Sequence, residues 1–261
     1  MASVLYRKEK RIAYVTLNHP DTLNAIDDAI NQELSEIWQD FNVDPEVDVA
    51  IVSGAGKAFC AGADFKTLIP KWEKATMGDL RANAVGCGLG GGITRGQHRI
   101  FKPIIAAVNG HAVGAGFELA LACDIRIAAD TAKFGVFEIR SGLHQGDGGL
   151  VRLVALAGIG VALDLTLTGR VVSAQEAYRL GLVTRVVPSA DLLTAAEEYA
   201  ATIISNPQHG VRSAKETIME IVGRTLDDAL RLESLYGYSS VGNFGEVKKR
   251  IEKFMEKTQG A

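Results

Sequence analysis

Ile104 to Val108 is an unbroken apolar run, and it enters the turn Asn109-Gly110-His111-Ala112-Val113-Gly114. The chain leaves that turn through Ala115-Gly116-Phe117-Glu118-Leu119 into a very apolar stretch ending at Cys123. A buried strand that passes through a glycine turn into a helix belongs to an α/β architecture. The surrounding sequence repeats the theme. Val4 to Leu17 alternates with period two, with Glu9-Lys10 at the expected hairpin turn. Asp27 to Phe41 carries Ile30, Leu34, Ile37, Trp38 and Phe41 at helical spacing, with Asp27 as its expected cap. Val47–Val52, Ile125–Ala128 and Phe134–Val136 read as strands, Ser173–Leu180 as a short helix, and the chain turns helical from Val154. No fixed-period sequence repeat accompanies this alternation.

The expected division is a core over 1–190 and a helical region over 191–261. The latter holds helices at Leu192–Ser205, Gly210–Val222, Thr225–Tyr236 and Glu246–Lys257. Residues 68–100 are the least regular stretch and are long enough to cover a pocket. Their Gly86-Cys87-Gly88-Leu89-Gly90-Gly91 matches G-x-G-x-x-G. No strand precedes it, so a flexible loop is expected there and not a dinucleotide site.

Of 261 residues, 47% are hydrophobic and 23% charged, with a net charge of −3, which excludes disorder and argues against nucleic acid as the main partner. Cys60, Cys87 and Cys123 are odd in number and unpaired in spacing, so neither a disulfide framework nor a cysteine zinc site is expected. The five histidines, His19, His98, His111, His144 and His209, have no metal-ligand spacing. Pro103–Ala129 reads as the most apolar region, yet Asn109, His111, Glu118, Asp124 and Arg126 interrupt it too often for a bilayer span. A cytoplasmic protein without membrane association is expected.

Two segments carry chemistry. Ala58-Phe59-Cys60-Ala61-Gly62-Ala63-Asp64-Phe65 follows a strand with small residues, which lets a ligand approach the main chain. The turn into Gly114–Leu119 leaves N–H groups free at a helix start, where a developing oxyanion is stabilised. Glu118, in the first turn of that helix, is either a helix-terminal charge or a catalytic acid. Glu138, in Phe134-Gly135-Val136-Phe137-Glu138-Ile139, lies in an equally apolar setting before the turn Gly146-Asp147-Gly148-Gly149. Two isolated acids beside glycine turns suit acid–base work on one substrate.

From Ile12 to Lys257 the chain resembles the crotonase (enoyl-CoA hydratase/isomerase) superfamily. Ala58–Asp64, Lys102–Leu119 and Ser173–Val186 carry the resemblance. It implies a spiral of ββα turns with a C-terminal helical region that drives trimerisation, as a trimer or a dimer of trimers. It also implies that the backbone N–H groups of Ala63 and Ala115 form an oxyanion hole for an acyl-CoA thioester. Ala61, Leu23 and Asn24 match positions along the CoA path, with Asp64, Gly114 and Gly146 beside them, and Phe254 and Lys257 match tail positions that reach CoA. Members that hydrate a 2-enoyl-CoA carry two glutamates, and both are present as Glu118 and Glu138. By that resemblance Glu118 activates water and Glu138 protonates C2. No metal or redox cofactor is implied, because coenzyme A arrives as part of the substrate.

The family's usual proline before the second glutamate is Phe137, and its proline in the following turn is Gln145, beside His144. Asp147 stands where a small residue is usual. These positions fall near the expected acyl chain and water, so a cyclic, branched or hydroxylated acyl group is expected. Asp147 reads either as a third acid or as a turn residue favoured between glycines. The competing functions are isomerisation, decarboxylation, hydrolysis or carbon–carbon cleavage on the same scaffold, or a non-catalytic CoA-binding subunit.

Overall fold

The computed structural model describes residues 2–84, 86–96, 99–242 and 244–259. Strands β1 (Val4–Glu9) and β2 (Ile12–Leu17) form the expected hairpin. Its turn falls on Lys10-Arg11, both left-handed at φ 51° and 68°, as a two-residue hairpin loop requires. Helix α1 (Asp28–Val43) starts where Asp27 accepts from the Ile30 N–H at 2.8 Å. All five apolar residues at helical spacing are buried. The chain continues through β3 (Val49–Gly54), β4 (Ala58–Cys60), α2 (Phe65–Trp72), α3 (Met77–Ala84), β5 (Ile104–Val108), β6 (His111–Val113), α4 (Ala115–Ala122), β7 (Ile125–Ala129) and β8 (Lys133–Gly135). Then come α5 (Gly149–Thr168), β9 (Val172–Ser173), α6 (Ala174–Arg179), β10 (Arg185–Val187) and α7 (Leu192–Ser205).

Two sheets result. The larger has the order β1-β2-β3-β5-β7-β10, with β1–β2 antiparallel and the other pairs parallel. The smaller has the order β4-β6-β8-β9, parallel except for β8–β9. Each of β3–β4, β5–β6 and β7–β8 places its first strand in the large sheet and its second in the small one, and helical chain follows. That is a ββα spiral.

Period-two alternation assigns the two faces of the large sheet. Ile12, Tyr14, Val49, Ile51, Ile105 and Ala107 pack with Leu192, Ala195, Ala196 and Ala200 of α7. Ala13, Val15, Ala50, Val52, Ala106 and Val108 face the core built with α1, α4 and the small sheet. Because α7 belongs to this core, the first compact unit runs to Ser205 and the second spans 206–261, whereas the sequence expectation drew the line at 190. The second unit contains α8 (Gln208–Ile221), α9 (Leu226–Ser239) and α10 (Phe244–Gln259).

Further features depart from the sequence reading. Residues 109–114 contain the short strand β6, and not only a turn. The helix expected from Val154 starts at Gly149, directly out of the glycine turn. Whereas Pro103–Ala129 reads as the most apolar region, among the described residues it is that helix, α5, that is long and apolar enough by length and composition to cross a membrane. Gly158, at φ 80° and ψ 165°, breaks its helical geometry.

Candidate active site

Parallel neighbours end on the same side of a sheet, so the segments following β4, β6 and β8 are brought together. They are Ala61–Asp64, Gly114–Ala115 and Phe137–Glu138. Ligands in α/β sheets sit beyond such strand ends.

The first segment is held by Ile26. Its N–H donates to the Gly62 carbonyl at 2.7 Å, and its carbonyl accepts from the Asp64 N–H at 2.9 Å. Successive residues of an extended segment point to opposite sides, so the Ala63 N–H is directed away from Ile26. Gly62 has φ 98°, and a Cβ there would lie 3.0 Å from the Ala115 nitrogen. Ala115 is the first residue of α4, so its N–H has no acceptor within its own helix. A Cβ on Gly116 would stand 2.0 Å from the Cys60 carbonyl, so only glycine lets α4 approach β4 this closely. The structure thus brings the amide-bearing turns of Ala63 and Ala115 together.

Glu118 is buried, and its Oε1 accepts from the N–H groups of Asp147 at 2.8 Å and Gly149 at 2.9 Å. Burial pushes its carboxyl up to about 7, with the negative charges of Asp147 and Glu138 adding to the rise and the two amides opposing it. Glu138 is half-buried. Its Oε1 lies 3.4 Å from where a Gly114 Cβ would be, and its Oε2 is buried without a hydrogen-bond partner among the described residues. Burial raises its pKa, and the charge of Asp147 raises it further. Both acids therefore hold their protons more tightly than an exposed glutamate.

The turn between β8 and α5 gathers the unusual residues. Phe137 lies under the Arg140 guanidinium, 4.0 Å from its ring centroid. His144 is exposed, with its Nδ1 2.7 Å from the Gln145 carbonyl oxygen. The Gln145 side chain is buried with both amide atoms unpartnered among the described residues. Its Oε1 lies 2.2 Å from where a Gly149 Cβ would be. Asp147 is buried, and its Oδ1 accepts from Arg95 Nε at 2.6 Å.

Sequence reasoning missed Arg95. It lies in the glycine-rich stretch, where no periodicity singled it out. That stretch is tied to α1 by Trp38 Nε1 donating to the Gly90 carbonyl at 2.9 Å and by Asn31 bonding Gly88 and Gly91. The helix α3, and not a strand, precedes its glycines.

The expected CoA-path residues divide. Leu23 is exposed, and its carbonyl accepts from the Ala61 N–H at 3.0 Å, so these two adjoin. The Asn24 side chain is fully buried and engaged by Ala55, Ala58 and His19, which makes it a brace for β4. Asp64 caps α2 by accepting from the Lys66 N–H at 2.8 Å. Gly146 is exposed. Phe254 is exposed on α10, and Lys257 lies on that helix with its side chain outside the described residues. His98 also lies outside the described residues. Among those described, no group of three or more His, Cys, Asp or Glu could hold a metal ion.

The family model for enoyl-CoA hydratase/isomerase matches residues 7–261. The chain belongs to that family. It is 37% identical over 256 residues to a short-chain-enoyl-CoA hydratase of Clostridium acetobutylicum, covering 98% of this chain and 95% of the relative. It is 38% identical over 244 residues to an (E)-benzylidenesuccinyl-CoA hydratase of Thauera aromatica, covering 93% and 91%. The crystal structure of an enoyl-CoA hydratase from Bacillus anthracis superposes with a TM-score of 0.87 at 35% identity, covering 98% of this chain and 96% of the other. The enoyl-CoA hydratase/isomerase fold is therefore the fold of this chain.

Proposed function

We propose that this family member is an enoyl-CoA hydratase, a hydro-lyase that adds water reversibly across the 2,3 double bond of a 2-enoyl-CoA. The carrying observation is the pair Glu118 and Glu138, both in buried settings around the Ala63 and Ala115 turns. In this reading the two N–H groups donate to the thioester oxygen as enolate charge builds on it. Glu118, with one oxygen fixed by two amides, uses the other to take a proton from water as its oxygen bonds to C3. Glu138, whose burial favours the protonated form, gives its proton to C2. The product is a 3-hydroxyacyl-CoA, and the proton taken by Glu118 balances the one lost by Glu138. No metal or redox group is required.

The acyl group we propose is cyclic, branched or hydroxylated. Support comes from the buried Gln145 amide and from the relative named for benzylidenesuccinyl-CoA. We also propose a homo-oligomer, trimeric or hexameric. Val151, Ile159, Leu163 and Leu167 on α5 are exposed, and an apolar face of that extent favours another copy of the chain.

The test is the loss of enone-thioester absorbance when the purified protein meets crotonyl-CoA. A saturable loss that disappears in Glu138→Gln supports hydration. No loss from a folded protein that still binds CoA overturns it and directs attention to the other reactions of the scaffold.

A further inference from the structure

We infer that Asp147 and Arg95 form a positioning pair that fixes the turn holding Glu118 and sets the charge felt by both glutamates. The inference rests on the hydratase reading for its purpose, though its geometry stands independently. A mere turn aspartate between glycines is exposed and bonds its own neighbouring backbone. Asp147 is instead buried, and its carboxylate reaches Arg95, remote in sequence, while its N–H holds Glu118 at 2.8 Å. One residue therefore links the glycine-rich segment to the acid.

The space around the pair is closed. A Cβ on Gly88 would stand 2.3 Å from Asp147 Oδ1 and 2.7 Å from Arg95 Nε, so the ion pair lies directly against the glycine backbone. Arg152 of α5 braces the other side, donating to the Thr94 carbonyl at 2.7 Å, next to Arg95 in sequence. Charged groups reach Asp147 and the glutamates from every surrounding element. Glu118 comes from α4, Glu138 from the segment after β8, Arg95 from the glycine-rich segment and Arg152 from α5. Arg140 turns to the Gly169 carbonyl and the Phe137 ring, and the His144 ring bonds the Gln145 carbonyl.

Asp147 adds negative charge beside both glutamates and raises the pKa of each, a smaller effect than burial. Arg95 is the counterion of Asp147, and in this proposal it offsets the charge that Asp147 presents to the glutamates. Removing the acid therefore releases the glutamate protons at lower pH, and removing the arginine retains them to higher pH.

The experiment titrates the side-chain carbons of ¹³C-glutamate-labelled protein by NMR, with Glu118→Gln and Glu138→Gln assigning the two signals. Asp147→Asn is expected to lower both midpoints by about one pH unit and Arg95→Gln to raise them, with Arg95→Lys returning them toward the wild type. The pH profile of kcat/KM on crotonyl-CoA should move in the same directions. Midpoints unmoved in both variants, with only a uniform fall in kcat, would overturn the inference and leave a structural role. If Asp147→Asn fails to fold, Arg95→Gln decides alone by the same criterion. Midpoints that move as stated in a protein inert toward crotonyl-CoA would refute hydration and leave the pair intact.

Discussion

Gly116→Ala tests the main-chain half of the site, which side-chain substitutions cannot reach. Its Cβ would stand 2.0 Å from the Cys60 carbonyl oxygen, an atom fixed in β4. Restoring ordinary contact requires α4 to withdraw from β4 by about 1.4 Å, because close-packed interiors have no slack to absorb it. Ala115, one residue away, would travel with the helix and leave the Ala63 amide behind. A misplacement of about 1 Å costs catalysis roughly 10²-fold, close to 2.7 kcal/mol on the barrier. Overpacking also lowers stability by about 1–3 kcal/mol. The assay is kcat/KM on crotonyl-CoA beside urea unfolding. Ala63→Gly and Ala115→Gly serve as controls, since both keep their amides and should retain activity within about threefold of the wild type. A folded Gly116→Ala protein with unchanged kcat/KM would refute the assignment of these amides to the thioester oxygen.

Glu118→Gln and Glu138→Gln should each lower kcat by about 10²–10⁴ while CoA binding, measured by calorimetry, is retained. In the proposed reaction ionised Glu118 takes the proton from water, so kcat/KM should fall as pH drops through about 7, and this acid limb should be altered in Glu118→Gln. The same raised pKa affects stability. The folded state binds the Glu118 proton more tightly than the unfolded chain, so the wild type should lose stability relative to Glu118→Gln as pH rises from 4.5 to about 7, read as the gap between their thermal midpoints. Asn24→Ala should lower unfolding free energy by about 2 kcal/mol or more, since it strips the Ala55 and Ala58 carbonyls of a buried donor. Light scattering should return a mass above that of one chain, and a strictly monomeric protein would contradict the oligomer proposed from α5.

Long elements were legible because burial imposes a period on them. The five apolar positions of α1 and the alternation of β2 announce their own faces. Glu118 and Glu138 were legible for the opposite reason, as charges placed where the pattern calls for apolar residues. Of the small sheet only β8 was legible, as the strand read over Phe134–Val136. Three-residue strands such as β4 and β6 are too short to show a period, and β6 lay inside what reads as a glycine turn. Arg95 was hidden because its partner is distant in sequence and its surroundings lack pattern. Asn24 was assigned to the CoA path by resemblance, whereas the structure spends its side chain on bracing the chain around β4.

The hold on Glu118 by two main-chain N–H groups, from Asp147 and Gly149, has an evolutionary consequence. A donor that belongs to the peptide unit survives replacement of the side chain attached to it. Residue 147 can therefore change identity without releasing the acid, provided the turn keeps its path. This divides anchoring in two: the backbone donors hold the reactive group, while the side chain at 147, here paired with Arg95, holds the path of the turn, a task that another pair of side chains could take over. A scaffold built this way can diversify its chemistry by single substitutions without first dismantling the reaction it already performs.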